Sequence, residues 1–513
     1  MINYLGRDVP DYVEGYGKVK HYLGAFKTVP EGTAYGPPIK AASPRRSKFY
    51  PNLTDLFKGL GLKSGMTFSF HHHLRNGDQV VNMVLDTAAK LGLNDLAVSL
   101  TAAFPTHAPM IGHIKSGVVT SLRTSGVYGP LAAAISGGVL PKPVIFHSHG
   151  GRPRSLKSGE LKVDVAIIAA PTADDRGNLS GAVGKSACGS LGYAFGDADH
   201  ATHVVAVTDN LVDYPLLPAS IGQNKVDHVV LVESLGDPQG IVSGTTKVTK
   251  DPVGLVIADL AAKAIKASGL LKNGFSFQTG AGGASLAAAH YVGQMMREAK
   301  VKGSFALGGI TGYMVDMLEE GLFGNLYDVQ SFDLESVRSM SRNPNHVEVS
   351  ADLYANPFNS GCLVNDLDAV ILGATEIDID FNVNAITGSD GVLMGAAGGH
   401  PDTAAGAKMT VIVATLLRSR LPIVVDRVIT ATTPGETVDV LVTEYGLAVN
   451  PSRPDLKDRF VKAGLTVKDI HELKRLAEDL AGVPEKLTFD GPIVALVEYR
   501  DGTIIDTVRA AGQ

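Results

Sequence analysis

From Met66 onward, short apolar runs alternate with amphipathic stretches of helical length. MTFSF (66–70), VDVAIIAA (163–170), THVVAVT (202–208) and DHVVLVE (227–233) are continuous apolar runs, the pattern of strands covered on both faces. Strands of that kind separated by helices form βαβ units around a parallel sheet, so the expected fold class is α/β. Segments 67–102 and 275–311 share one order: strand, polar or glycine-rich loop, helix, strand. A repeat at so long a spacing predicts two similar halves rather than a solenoid of short units. The division is placed near 236–254, where GDPQGIVSGTTKVTKDPVG breaks the pattern. A first domain is therefore expected over 56–240 and a second over 241–513, the latter closing with a polar helix near 466–482 and a final strand near 494–499.

Residues 1–55 have a different texture. Pro10, Pro30, Pro37, Pro38, Pro44 and Pro51, with a basic knot of Arg45, Arg46 and Lys48, leave little periodicity. Proline removes donors and fixes φ, so this reads as an extended arm that wraps over a neighbouring domain or subunit, against the alternative of a disordered tail.

Composition narrows the class. In 513 residues, 45% are hydrophobic and 19% charged, enough for a large core, and 58 glycines signal many tight turns. With 46 basic against 52 acidic residues and a net charge of −6, no basic run exists to neutralise phosphates, which argues against a nucleic-acid partner. Cys188 and Cys362 lie too far apart in sequence for a close-spaced zinc motif, and two cysteines make no disulfide framework; a reducing cytoplasm fits best. No segment approaches the roughly 18 uncharged apolar residues of a membrane span, so neither export nor insertion is expected.

Three segments concentrate chemistry. QTGAGGAS (278–285) lies between the strand GFSF and an alanine-rich helix. There, Gly280, Gly282 and Gly283 would bring backbone N–H groups and a helix N-terminus to the carboxyl end of a parallel strand, cradling an anion or a developing oxyanion; tight packing without a ligand is the plainer reading. FHHHLRNGD (70–78) is the equivalent loop of the first half. His71, His72 and His73 alternate direction and cannot all ligate one ion, so no metal is expected. His71, His72, His73 and Arg75 instead concentrate donors and positive charge where a polycarboxylate could sit, Arg75 offering a bidentate fork, although a merely polar strand end is also consistent. In ATEIDIDFNVN (374–384), alternation puts Glu376, Asp378, Asp380, Asn382 and Asn384 on one face of a strand. Glu376 there is open to three roles: base, nucleophile or structural acceptor. The following GAAGGHPD adds a second glycine loop with Gly398, Gly399 and His400. GAVGKS (181–186) fails as a phosphate loop, having Leu179 where glycine is required, and no G-x-S-x-G elbow occurs.

The strings VPDYVEGYGK, SFHHHLRNGD, FQTGAGGAS, TEIDIDFNVNAITGSDG, GAAGGHPDTAAGAK and VTEYGLAVNPSRPDL together resemble the coenzyme A transferase superfamily and, over nearly the full length, its citrate lyase alpha-subunit family. The resemblance implies two similar α/β halves with parallel-rich sheets and the active site between them. It implies citrate CoA-transferase activity, exchanging acetyl for citryl on an acyl carrier protein thiol. The implied partners are that carrier (the gamma subunit), with its phosphoribosyl-dephospho-CoA arm, and a beta subunit that cleaves the citryl thioester. A coenzyme A thioester is an alternative donor, no cofactor is bound by this subunit itself, and a homo-oligomer is expected.

The same resemblance distributes roles over the site. Gly280, Gly282, Gly283 and Glu376 are the catalytic expectations. His72, Arg75 and His400 would hold citrate, with Arg123, Arg152 and Arg154 in reserve, and Gly398, Gly399 and Asn384 would face the cofactor arm. Better-known members of the superfamily carry a nucleophilic glutamate in a serine-glutamate-asparagine-glycine string. Here SFALGGITGY (304–313) puts Leu307 at that position, which implies direct attack by citrate through a mixed citric–acetic anhydride. Two alternatives stand beside it: a transferase or hydrolase with Glu376 as acyl acceptor, and a scaffold that only docks the carrier.

Overall fold

The computed structural model describes residues 1–513 except 43, 45, 243–245 and 512–513. Arg45 of the basic knot, and part of the expected division between halves, lie outside the described residues. Two large sheets dominate. The ten-stranded sheet runs, edge to edge, Ile504–Arg509, Ile493–Glu498, Val144–Phe146, Val119–Thr124, Leu96–Leu100, Thr67–Phe70, Val165–Ala169, His203–Thr208, His228–Leu231 and Phe49–Tyr50. The nine-stranded sheet runs His346–Glu348, Phe323–Ser331, Gly303–Ile310, Ser276–Thr279, Ala369–Gly373, Met409–Val413, Val440–Thr443, Gly446–Val449 and Val467–Lys468. The stretch from Val144–Phe146 to His228–Leu231 repeats, in order and parallel pairing, the stretch from His346–Glu348 to Val440–Thr443. Central strands such as Val165–Ala169 and Met409–Val413 are buried throughout, as their unbroken apolar runs require.

The end of the chain departs from expectation. Residues 493–509 do not extend the second half: Ile493–Glu498 pairs parallel with Val144–Phe146 of the first sheet, Ala495 opposite Val144, and a further strand, Ile504–Arg509, covers it antiparallel. Val144–Phe146 is short and wholly buried, so its edge needs a partner. At the opposite edge, Phe49–Tyr50 pairs with Val229 and Val230, so the arm supplies a strand after all.

Asn3, Arg7 and Tyr22 near the start of the arm strap the C-terminal strands to the second half of the same chain. Asn3 Nδ2 donates to the Ile505 carbonyl at 2.8 Å. Arg7 pairs with Asp506 at 3.1 Å and donates to the Val428 carbonyl at 2.6 Å. Tyr22 donates its hydroxyl proton to Glu436 of the second half at 2.7 Å. No helix among the described residues is long and apolar enough to cross a membrane.

EIDIDFNVN is a hairpin, not one strand. Glu376–Asp378 and Val383–Asn384 pair antiparallel, Glu376 opposite Asn384. The turn is made by Asp378, whose Oδ1 accepts the N–H groups of Asp380 and Asn382 at 3.1 and 2.9 Å, with Phe381 at φ 65°. The first half contains the same device: Asp174 Oδ1 accepts from Arg176 and Asn178, both at 3.0 Å, with Gly177 at φ 93°. An aspartate that satisfies successive backbone donors folds the chain back and cancels the strand that alternation alone suggests.

Candidate active site

A cavity of about 640 Å³ opens between the halves. Its walls come from loops after parallel strands: His72 and Arg75 after Thr67–Phe70, His149 after Val144–Phe146, and the glycine loop after Ser276–Thr279. Loops at the carboxyl ends of such strands are where α/β sheets present ligands with backbone donors.

Of the three consecutive histidines, only His72 lines the cavity. His71 Nε2 lies 2.9 Å from Asp197, and His73 Nε2 bonds the Ala169 carbonyl at 2.7 Å. The His72 Nδ1 sits 2.5 Å from Thr101 Oγ1, and its ring stacks on Tyr193 at 4.7 Å. Gln330 of the second half donates to the His72 carbonyl at 3.0 Å. Arg75 adopts φ 50°, an uncommon conformation for a non-glycine residue. Its guanidinium lies over the rings of Phe104 and Phe332, at 4.6 and 5.6 Å from their centroids. The loop is held by the segment after the first half, where Asp237 N–H donates to the Gly77 carbonyl at 2.9 Å. That approach requires glycine, since a Cβ at Gly77 would lie 1.9 Å from the Asp237 oxygen.

Burial dominates the electrostatics. It pushes His72 well below the usual imidazole range, reinforced by His149 and Arg75. It brings His149 down to about 3, with Arg75 adding to the effect. These rings are neutral at pH 7, while Arg75, also lowered by burial, keeps its guanidinium charge.

In the glycine loop, the donors differ from those expected. The Gly280 N–H is already given to the Ile371 carbonyl at 2.7 Å, and the Gly282 N–H to the Gly280 carbonyl at 2.9 Å. Gly282 caps the helix Gly283–Ala299. The N–H groups without an intrahelical partner are therefore those of its first turn, Gly283, Ala284 and Ser285, all cavity-lining residues. Gly280 and Gly282 shape the loop, and Gly283 starts the donor set. On the opposite wall, the Gly398 carbonyl accepts the His149 N–H at 2.8 Å. Gly399 leaves room for Tyr354, whose hydroxyl would be 2.5 Å from a Cβ there.

Three expected site residues are otherwise employed. His400 lines the cavity, but its Nδ1 is 2.7 Å from Thr433 Oγ1 and its Nε2 is 2.9 Å from the Gly373 carbonyl, so both nitrogens are engaged and the ring is wall rather than citrate ligand. Glu376 is not among the lining residues: its Oε2 accepts from Asn384 Nδ2 at 3.0 Å and from the Ile429 N–H at 3.1 Å. Asn384 also bonds Thr387 and the N–H groups of Ile386 and Thr387, so its amide serves the hairpin and not a cofactor. Pairing these two across the hairpin removes both from the cavity. The reserve arginines are likewise taken: Arg152 by Asp197 at 2.8 Å, Arg154 by Glu498 at 3.0 Å, and Arg123 by Glu498 at 3.7 Å. Arg418, which sequence reasoning passed over, lines the cavity and donates to the Ala374 carbonyl at 3.1 Å.

His149 and Tyr193 were also missed. HSHGG, following the apolar run VIF, repeats the strand, histidine, glycine order of FHHHLRNG, and this was the available signal for His149. No carboxylate is found among the described residues that line the cavity. Leu307 is fully buried in a cluster with Tyr193, Val329 and Tyr354.

Two repeated α/β halves, a cavity at their facing strand ends and a glycine loop opening onto a helix define a coenzyme A transferase-type fold. The chain belongs to the citrate lyase alpha-subunit family: the family model described as citrate lyase, alpha subunit (CitF) matches residues 46–511. The citrate lyase alpha chain of Klebsiella pneumoniae is 50% identical over 478 residues, 93% of this chain and 94% of that one. The alpha chain of Escherichia coli K12 is 49% identical over 487 residues, 95% and 94% of the two chains. A solved structure of an alpha subunit of citrate lyase from Streptococcus mutans, in complex with citrate, superposes with a TM-score of 0.95 at 46% identity, covering all of both chains. A malonate decarboxylase hetero-tetramer from Pseudomonas, 17% identical over 85% of this chain and 84% of its own, shares the fold with a TM-score of 0.63.

Proposed function

We propose that the cavity exchanges acetyl for citryl on a carrier thiol by direct attack, without an acyl-enzyme. Acetyl-S-carrier and citrate give citryl-S-carrier and acetate. A citrate carboxylate oxygen attacks the acetyl carbonyl, the C–S bond breaks, and the carrier leaves as thiolate beside a mixed citric–acetic anhydride. The thiolate then attacks the citryl carbonyl, and acetate departs with the bridging oxygen. The observation that carries this reading is the absence of a carboxylate from the described lining, with buried Leu307 at the position where a nucleophile is expected.

The residues present suit the steps. Arg75 and His72 supply charge and a neutral donor for citrate carboxylates in a buried setting where each bond counts for more than in water. The first-turn N–H groups of Gly283–Ala299 and the helix dipole favour the oxyanion that forms at the thioester carbonyl oxygen. Apolar walls from Phe104, Phe332 and Val329 limit water that would hydrolyse an anhydride. The S. mutans relative in complex with citrate supports the choice of acid. As partners we propose the acyl carrier protein with its phosphoribosyl-dephospho-CoA arm and the citryl-cleaving beta subunit, in a cytoplasmic homo-oligomeric assembly; the cavity is large enough for citrate together with the thioester end of such an arm.

The experiment is an exchange assay on the purified chain with acetyl-carrier or acetyl-CoA, citrate and labelled acetate. Citrate-dependent formation of citryl thioester and incorporation of label are expected. Thioester hydrolysis with no citryl product would overturn the reading.

A further inference from the structure

His149 is held from both halves. Its N–H donates to Gly398, while the flanking Ser148 hydroxyl and Gly150 N–H donate to the buried Asp402 carboxylate at 2.8 and 2.9 Å. A loop anchored on three sides presents its side chain in one place. The ring lines the cavity, centred 5.6 Å from the His72 ring, and a Cβ at Gly398 would come within 3.9 Å of its Nε2.

The other end of the ring meets Tyr193, whose hydroxyl lies 2.8 Å from His149 Nδ1. Tyr193 is itself 5% exposed and packs on both histidines, with centroid distances of 4.7 Å to His72 and 4.6 Å to His149. A buried phenol keeps its proton. When it donates that proton to Nδ1, a neutral imidazole must carry its own on Nε2, away from the tyrosine. The same logic governs histidines whose tautomer is fixed by a partner on the far nitrogen.

We propose that His149 is a third citrate-binding residue, donating Nε2–H to a substrate carboxylate alongside Arg75 and His72, with Tyr193 the positioning residue that fixes this tautomer. The proposal rests on the citrate reading of the cavity given above. It goes beyond it in assigning a further neutral donor and the residue that fixes its tautomer. Arg75, His72 and Tyr193 face the ring within the cavity, and His147 and Asp402 lie on its own loop and behind it. A neutral donor in this company adds a directed bond to a polycarboxylate without adding a further buried positive charge next to Arg75.

The test is calorimetric binding of citrate to the full chain, which needs no turnover, together with the Michaelis constant for acetyl-CoA in the exchange assay. His149→Ala should weaken citrate about 10- to 100-fold, the loss of one hydrogen bond to a charged group, and His149→Gln, which returns an N–H near the Nε2 position, should recover most of it. Tyr193→Phe keeps the ring stack but frees Nδ1. Citrate should then bind about tenfold more weakly at pH 7.5. The acetyl-CoA constant should stay unchanged in each variant. Wild-type citrate affinity in His149→Ala, or a loss in Tyr193→Phe that falls equally on citrate and acetyl-CoA, overturns this proposal alone. A wild-type chain that binds no citrate overturns the functional reading and this proposal with it.

Discussion

Asp402 of the second half and Ser148 of the first meet at 2.8 Å across the seam between them, and the carboxylate is fully buried. Its second oxygen takes the Gly150 N–H at 2.9 Å, and Arg500 approaches to 3.6 Å. The loop that presents His149 is thus aligned by an acid from the opposite half.

Burial outweighs Arg500 and these donors and pushes the Asp402 carboxyl up to about 6. A group whose folded pKa is raised contributes stability that is complete below its unfolded value, 3.8, and is lost as pH rises through 6. Asp402→Asn removes the titration. The stability advantage of wild type over this variant should therefore shrink by on the order of 3 kcal/mol between pH 4 and pH 7. Urea denaturation of both proteins across that range checks it, and an advantage that grows with pH would contradict it.

Arg75→Ala should weaken citrate far more than the acetyl thioester. Removing one partner of a buried charged contact commonly costs on the order of 2–5 kcal/mol, or about 30- to several-thousand-fold in affinity. Only a polycarboxylate should depend on that guanidinium. Parallel Michaelis constants for citrate and acetyl-CoA separate this from a general loss of architecture, in which both would rise together.

The two glycine loops should respond differently to valine. At Gly282 the backbone is extended, φ −150°, and a Cβ would meet nothing closer than Ser285 Oγ at 3.4 Å. Gly282→Val should keep its melting temperature while blocking access to the helix N-terminus, with a fall of about 10²- to 10³-fold in exchange. At Gly399 a Cβ would lie 2.5 Å from the Tyr354 hydroxyl, so Gly399→Val should lose stability as well as activity. Thermal melts beside the exchange assay distinguish the two.

Glu376→Gln should keep the exchange reaction. The carboxylate it replaces accepts from Asn384 and Ile429 outside the cavity lining, so the consequence is a modest loss of stability. Loss of a covalent nucleophile would instead lower turnover by about 10⁴-fold or more.

The repeated halves were legible because unbroken apolar runs report strands buried on both faces, and because HHHLRNG and QTGAGGAS follow corresponding strands of the two sheets. Alternation also showed that three adjacent histidines must divide, and His72, the one expected to hold citrate, is the one that lines the cavity. The hairpin at 376–384 was illegible for a local reason. In the first half the same turn carries Gly177, a visible turn residue, whereas in the second it carries Phe381 at positive φ, which alternation counts as one more apolar strand position. The return of 493–509 to the first sheet rests on pairing between Ala495 and Val144, a long-range contact with no local signature. The mistaken roles of His400 and Asn384 share one cause: the sequence displays polar groups, but only the fold reveals which already have partners.

Transfer of oxygen-18 in a single turnover tests the absence of an acyl-enzyme most directly. Citrate labelled in its carboxylates is mixed with acetyl-carrier and excess enzyme, and the acetate released is analysed by mass spectrometry. In direct attack the bridging oxygen of the anhydride comes from citrate and leaves with acetate, so acetate from the first turnover should carry one labelled oxygen. Unlabelled acetate in that turnover, with the label recovered in an enzyme glutamate such as Glu376, would contradict it.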